Sequence, residues 1–293
     1  MRMPSPPAVD VDLDFARYIS VRRGAADAAA REGAAYAYSG EHRVRRTLAY
    51  ARPVTLALEA TVRAWKSAAR VDLLADAVRV TDQQFPRLYG IAARCASILR
   101  LPVPPVYVKP DVRGDAWTLG LDDDCYVVLD RALVDRLNDD ELGFLLGHEL
   151  GHLHNNHVVL NTALYYLTTG AAFYVKWIVQ PATLPLRAWA RRAEITCDRA
   201  GLLCTRDADV AVRAMIKIAA GLAPVDVDEY LKELGKGSSF VEIFRSHPYL
   251  SKRIEALRLF ARSAFFRRHA GLGDDGLAAH DCDDEVAKLL SVF

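Results

Sequence analysis

The chain has 293 residues, 52% hydrophobic and 26% charged, with 38 Lys and Arg against 37 Asp and Glu. That is a globular composition, large enough to bury a sizeable core in one large domain or two small ones. The balanced charge excludes the basic footprint of a nucleic-acid-binding protein, and five scattered cysteines without a CxxC exclude a disulfide framework or a thiolate zinc cluster and favour a reducing, cytoplasmic compartment.

Residues 1–40 are Pro-rich, then Ala/Gly-rich, and read as a loosely ordered arm with no apolar segment of the secretory kind. Residues 41–70 carry seven Lys/Arg against two Glu. A solvated basic helix face is the commoner meaning of such a run; attraction to an anionic membrane surface is the sharper one, so peripheral membrane contact stays open.

From residue 71 the pattern tightens. Apolar positions at three- and four-residue spacing up to about residue 101 predict one or two helices. Three short β-rich runs follow, at 104–110, 115–120 and 125–130, bounded by Pro, Gly and Asp, and predict a small sheet. Asn138, three residues before Glu141, makes a capping box at the start of the next helix. Residues 158–175 carry no charge over 18 positions, the threshold length for a membrane span, but Asn161, the Thr and Gly positions and Lys176 favour a buried or surface-seeking helix. Further helices are expected at about 187–204, 207–220, 226–234 and 249–266, with Gly221 and Gly235 at C-terminal caps. The fold class is α+β, mostly α, with a small sheet beside the 139–154 helix and a helical C-terminal half.

Chemistry concentrates in "GHELGHLHNNH", 147–157. His148 and His152 are i and i+4 on a helix, so both imidazoles project from one face and can share an ion. Glu149 lies a third of a turn round, placed to reach a water on that ion. A chance HExxH in a chain of this composition is roughly a one per cent event, so the pentapeptide alone only suggests a site. A metzincin site needs a glycine at position 155 and a histidine at position 158, whereas the chain has Asn155 and Val158, with His157 out of phase. "RRAEITCD", 191–198, offers another third ligand. Glu194 and Asp198 are again i and i+4, and Glu194 would complete a His₂Glu set with an open position. Asp198 would accept the second ring N–H of a ligating histidine. On its own that segment reads as a solvated charged face with Arg191, Arg192 and Arg199. "SHPYLSKRIEAL", 246–257, is the third block: Ser246 and Pro248 suit a helix start, leaving His247 at its entrance.

Taken together the chain resembles the HtpX-like and CAAX-prenyl-protease-type zinc metallopeptidases, which are gluzincins. The resemblance rests on HELGH with His157 beyond it, on Arg191, Glu194 and Asp198 as R-x-x-E-x-x-x-D, on "HPYLSKRIEAL" as H-P-x-x-x-x-R-I-x-x-L, and on "DAWTLG" where that family carries N-A-F-x-x-G. It implies one Zn²⁺ bound by His148, His152 and Glu194, with Glu149 as general base and His247 near the developing oxyanion. It implies further that the strand at Ala116 and Trp117 holds substrate backbone. Asp115 and Trp117 depart from the usual Asn and Phe, Cys197 from a customary Ala, and the N-terminal membrane hairpins of HtpX have no counterpart before residue 70. The expected activity is that of a zinc endopeptidase acting on unfolded or flexible segments of a peptide or protein substrate, through a zinc-activated water. A latent or catalytically silent zinc-containing peptide-binding protein is the alternative, the arm or the tail covering the cleft. The expected organisation is an N-terminal arm and basic helical segment over 1–70, a zinc metallopeptidase domain over 71–265 and an acidic C-terminal tail over 266–293.

Overall fold

A computed structural model describes residues 34–50, 75–110, 115–121, 124–168, 176–219, 227 and 248–291. The expected helix at 226–234, the cap glycines Gly221 and Gly235, and His247 lie outside those residues, apart from Val227.

Among the described residues, ten helices and four strands follow in order: α1 Ser39–Tyr50, β1 Val78–Arg79, α2 Pro86–Ile98, β2 Val106–Lys109, β3 Ala116–Leu121, β4 Asp124–Asp130, α3 Arg131–Arg136, α4 Asp139–His154, α5 Val158–Thr168, α6 Lys176–Thr205, α7 Ala208–Ala219, α8 Pro248–Ala261, α9 Ala264–Ala270 and α10 Ala279–Ser291. The class is α+β, mostly α, as the sequence pattern predicts. The sheet runs β1-β2-β4-β3, with β2 and β4 parallel and the outer pairs antiparallel.

One expectation fails in part. The first half of the run read as helical carries β1, where Val78 pairs with Val108 and the Val80 N–H donates to the Val106 carbonyl at 2.9 Å. Val-Arg-Val is too short to show a period by itself, and pairing with β2 decides its state. Helix α2 starts only at Pro86, whose fixed φ suits a first turn.

Helix α4 is the centre of the molecule. Every residue from Glu141 to Leu153 is buried, so it has no solvent face. Its start is the capping box: Asn138 Oδ1 accepts from the Glu141 N–H at 2.9 Å, and Glu141 Oε2 accepts from the Asn138 N–H at 3.0 Å. Its neighbour α6 crosses at very short range. A Cβ on Gly147 would stand 2.7 Å from Cys204 Sγ, and one on Gly151 would stand 3.0 Å from the Cys197 Cα. Glycine at the position before each HExxH histidine is therefore what lets the two helices touch.

The first and last described segments join this packing. Residues 34–46 wrap the C-terminal end of α4: Arg45 Nη1 donates to the Asn155 carbonyl at 2.9 Å, and Asn155 Nδ2 donates to the Tyr36 hydroxyl at 3.1 Å. Within the stretch expected as an acidic C-terminal tail, Ala279–Ser291 form α10, with Cys282 and Val286 buried. Asp283 binds Arg199 of α6 at 2.7 Å and the Ser39 N–H at 2.9 Å. Among the described residues no helix is long and apolar enough to cross a membrane; of the uncharged 158–175 stretch, α5 is described to Thr168.

Candidate metal and peptidase site

The site forms where α4 and α6 cross. His148 and His152 present their Nε2 atoms towards one carboxylate, that of Glu194: Nε2 of His148 lies 3.5 Å from Oε2, and Nε2 of His152 lies 3.6 Å from Oε1. The two imidazole rings stand edge to face, centroids 5.1 Å apart. Tetrahedral zinc with bonds of about 2.0–2.1 Å holds its ligand atoms about 3.3 Å apart, and each histidine–Glu194 separation is within a few tenths of an ångström of that spacing.

A second set, His148, His152 and Cys197, also brings ligand atoms within 4.8 Å of one another. The set with Glu194 fits better. Cys197 Sγ lies 3.2 Å from Nδ1 of His152, the ring nitrogen opposite the one that faces Glu194. Burial, and then nearby carboxylates, push its thiol well above the usual range in the metal-free protein.

Behind His148 stands Asp198, whose Oδ1 is 3.0 Å from Nδ1. Asp198 is itself held by Arg253 of α8, Nε to Oδ2 at 2.8 Å and Nη2 to Oδ1 at 2.7 Å. Burial would raise the Asp198 carboxyl, but the guanidinium and His148 outweigh it and keep the group below the ordinary range. Arg253 Nη1 also reaches Glu194 Oε2 at 3.0 Å, so one cation braces both carboxylates of α6. The Arg stands in the quoted "SKRIEAL", yet sequence reasoning assigned it no role; its i+6 spacing from His247 carries no helix-face signal.

Glu149 points the other way, towards the sheet. Burial pushes its carboxyl up to about 7, against a partial lowering by His148. Thr118 of β3 donates its hydroxyl to Glu149 Oε2 at 2.6 Å, with the Glu149 carbonyl at 3.1 Å. Thr118 was missed as well: alternation along β3 puts it on the face of Ala116, but only tertiary packing sets Glu149 beneath it.

Ala116 is buried in the main core, on the side facing α4. Trp117 lies on the opposite face with Leu119, Tyr126 and Val128, its indole Nε1 donating to Asp115 Oδ2 at 3.1 Å. Only the backbone of Trp117 therefore belongs to the strand edge near the site. β3 pairs with β4 on one side, and the Gly120 N–H on the other side donates to Thr162 Oγ1 of α5 at 3.0 Å.

His157 sits behind His152. Asn156 adopts a left-handed φ of 55°, the His157 N–H donates to the His152 carbonyl at 2.9 Å and the Asn156 N–H to the Leu153 carbonyl at 3.3 Å. These two bonds are a Schellman stop, and they fold His157 back until its Nδ1 is 3.2 Å from Nδ1 of His152.

Comparisons with known proteins identify the family. The family model described as Peptidase family M48 matches residues 82–261. A plastoglobule-localized metallopeptidase 48 of Arabidopsis thaliana is 34% identical over 164 residues, covering 53% of this chain and 48% of that protein, about half its length. A protease HtpX homolog of Moorella thermoacetica is 25% identical over 66% of this chain and 78% of its own length, and protease HtpX homolog 2 of Methanosarcina mazei is 26% identical over 61% and 74%. No solved structure matches the chain. With the matched region spanning more than half of its residues, and the HExxH helix, Glu194 and Arg253 all inside it, the chain belongs to peptidase family M48.

Proposed function

We propose that this chain is a zinc-dependent endopeptidase in which His148, His152 and Glu194 hold the metal, Glu149 is the general base and Asp198 orients His148. The observation that carries the reading is Glu149: a buried carboxyl one residue from His148 and hydrogen-bonded by the Thr118 hydroxyl at 2.6 Å. A structural zinc site needs no such group. Bound zinc supplies Lewis acidity, lowering the pKa of a water from about 16 towards 7 and polarising a carbonyl.

Glu149 supplies the proton acceptor, taking a proton from water and returning it to the departing amine. Thr118 fixes the rotamer of that carboxyl. Arg253 and Asp198 hold Glu194 and His148 against rotation, so the donor set is ordered before an ion arrives. The peptide is proposed to lie extended along the outer edge of β3, at the backbone of Ala116 and Trp117. Main-chain pairing of that kind reads little sequence, and it selects unfolded or flexible segments able to become a strand. His247 keeps its proposed place near the oxyanion, outside the described residues.

The five scattered cysteines, without a CxxC among them, support a cytoplasmic, reducing location. Peripheral membrane contact through the basic segment that includes α1 stays part of the proposal.

The test is zinc content and casein cleavage for wild type and Glu149→Gln. Stoichiometric zinc in both, with cleavage by wild type alone, is the expected result. Zinc in both and cleavage by neither would favour the latent or peptide-binding alternative. No zinc in protein purified without chelator would remove the ligand assignment.

A further inference from the structure

Three donor atoms converge on the side of the His152 ring turned away from Glu194, and the mechanism above uses none of them. Cys197 Sγ of α6 lies 3.2 Å from Nδ1 of His152 and 3.6 Å from Nδ1 of His157, and the two nitrogens are 3.2 Å apart. An ion equidistant from the three would stand about 1.9 Å from each, against metal bonds of about 2.0–2.1 Å to nitrogen and about 2.3 Å to sulfur. Shifts of a few tenths of an ångström would therefore seat a metal. The two rings meet edge to face, centroids 5.4 Å apart, so neither covers the nitrogen of the other.

Cys197 and His157 have no exposed surface, and His152 is buried. A fourth group, the amide of Asn161 on α5, lies 3.0 Å from Nδ1 of His152 and is only half-buried. Its oxygen becomes a further, weaker donor when the amide is turned. Across the His157 ring the buried Glu41 carboxylate of α1 lies 2.7 Å from Nε2 and accepts from the Thr196 hydroxyl at 2.6 Å. A cation between the rings would thus face negative charge on two sides, the thiolate and Glu41.

The donor set indicates which cation. A thiolate is a soft ligand that selects Cu(I) or zinc, and imidazole suits both metals. Zinc in a closed site almost always takes four ligands, whereas three firm donors meet here. We propose that Cys197, His152 and His157 form a second metal site behind the peptidase centre, taking one Cu(I) ion through Sγ and the two Nδ1 atoms. The Cu–S bond replaces the S–H bond and the thiol proton leaves to solvent; copper at each Nδ1 displaces any proton there, so the site depends on neither ring's resting protonation. The ion enters past Asn161 and keeps its oxidation state. No donor atom of this set is assigned to zinc, so the inference goes beyond the peptidase reading and does not rest on it. Because His152 serves both sites, through one ring nitrogen each, loading of either bears on the other.

Two measurements test it, on the full chain kept reduced, stripped of metal and given one equivalent of Cu(I) without oxygen. Copper X-ray absorption on wild type reads the ligand atoms and needs no variant; one sulfur and two imidazole nitrogens are expected. Competition with bicinchoninate reads Cu(I) affinity for wild type, Cys197→Ser and Glu194→Gln, each shown folded by circular dichroism. Expected is a loss of about 100-fold in Cys197→Ser, at least the effect of removing a group behind a ligand, with Glu194→Gln within about twofold of wild type. No copper uptake, copper held by sulfur alone or without sulfur, or an unchanged affinity in Cys197→Ser overturns the inference. Failure of the zinc reading shows separately, as wild type without zinc, and leaves this site standing.

Discussion

Arg253 grips both oxygens of Asp198, at 2.8 and 2.7 Å, from a helix more than fifty residues further along the chain. Asp198 is 1% exposed, so the pair is a buried ion pair on the carboxylate side, and removing the cation strands a charge. Arg253→Met is expected to lose about 3 kcal/mol of stability, the lower end of the range for a broken buried pair because Arg253 keeps 23% exposure. Arg253→Lys should retain part of this, since an ammonium keeps the charge and loses the two-pronged grip. Urea unfolding of the metal-free variants measures both; equal stability of Arg253→Met and wild type would contradict the role given to the pair.

Thr118 is the neutral donor on Glu149 Oε2. Thr118→Val keeps the shape and deletes the hydrogen bond, worth about 1.4 kcal/mol or tenfold in rate. The expected outcome is a tenfold lower kcat/KM on an unfolded substrate with full zinc content, and near-normal rates in Thr118→Ser. A Thr118→Val enzyme with unchanged kcat/KM would show that Glu149 needs no fixing.

The contact of α4 with α6 predicts opposite results for two glycine substitutions. A Cβ on Gly151 would lie 2.9 Å from the Ala200 Cβ, whereas one on Gly90 in α2 meets nothing within 4 Å. Gly151→Ala is expected to destabilise by about 1–3 kcal/mol through overpacking and to weaken zinc binding, because α4 must move off the helix that carries Glu194. Gly90→Ala is expected to stabilise by about 0.5–1 kcal/mol. Thermal unfolding of the two variants, with zinc titration of the first, is the check.

Glu149 sets a pH dependence in the metal-free protein. Its folded pKa, about 7, stands above the ordinary value of 4.5, so between those limits the folded state binds more protons than the unfolded one. Stability contributed by this group is therefore full below about pH 4.5 and is lost as the pH rises to 7, by up to about 3 kcal/mol. Chelator-treated Glu149→Gln should melt above wild type at pH 8 and level with it at pH 4.5. A constant difference at both pH values would remove Glu149 as the source.

Local pattern carried much of this protein. The i, i+4 spacing of His148 with His152 and of Glu194 with Asp198 follows from 3.6 residues per turn, and so does the capping box at Asn138. The strands at 106–109, 116–121 and 124–130 fall close to the β-rich runs that announced them. Each of these depends on neighbours within one or two turns, which a sequence displays directly. Tertiary structure decided the rest. β1 became a strand because β2 was there to pair with it. Residues 34–50 and 279–291 became part of the packing because Tyr36, Glu41 and Asp283 found partners on α4 and α6. Thr118, Arg253, His157 and Glu41 gained their places at the site from contacts between segments far apart in the chain. No periodicity encodes such contacts; they exist only once the glycine-lined crossing of α4 and α6 has brought the helices together and burial has made each charge dependent on its neighbour.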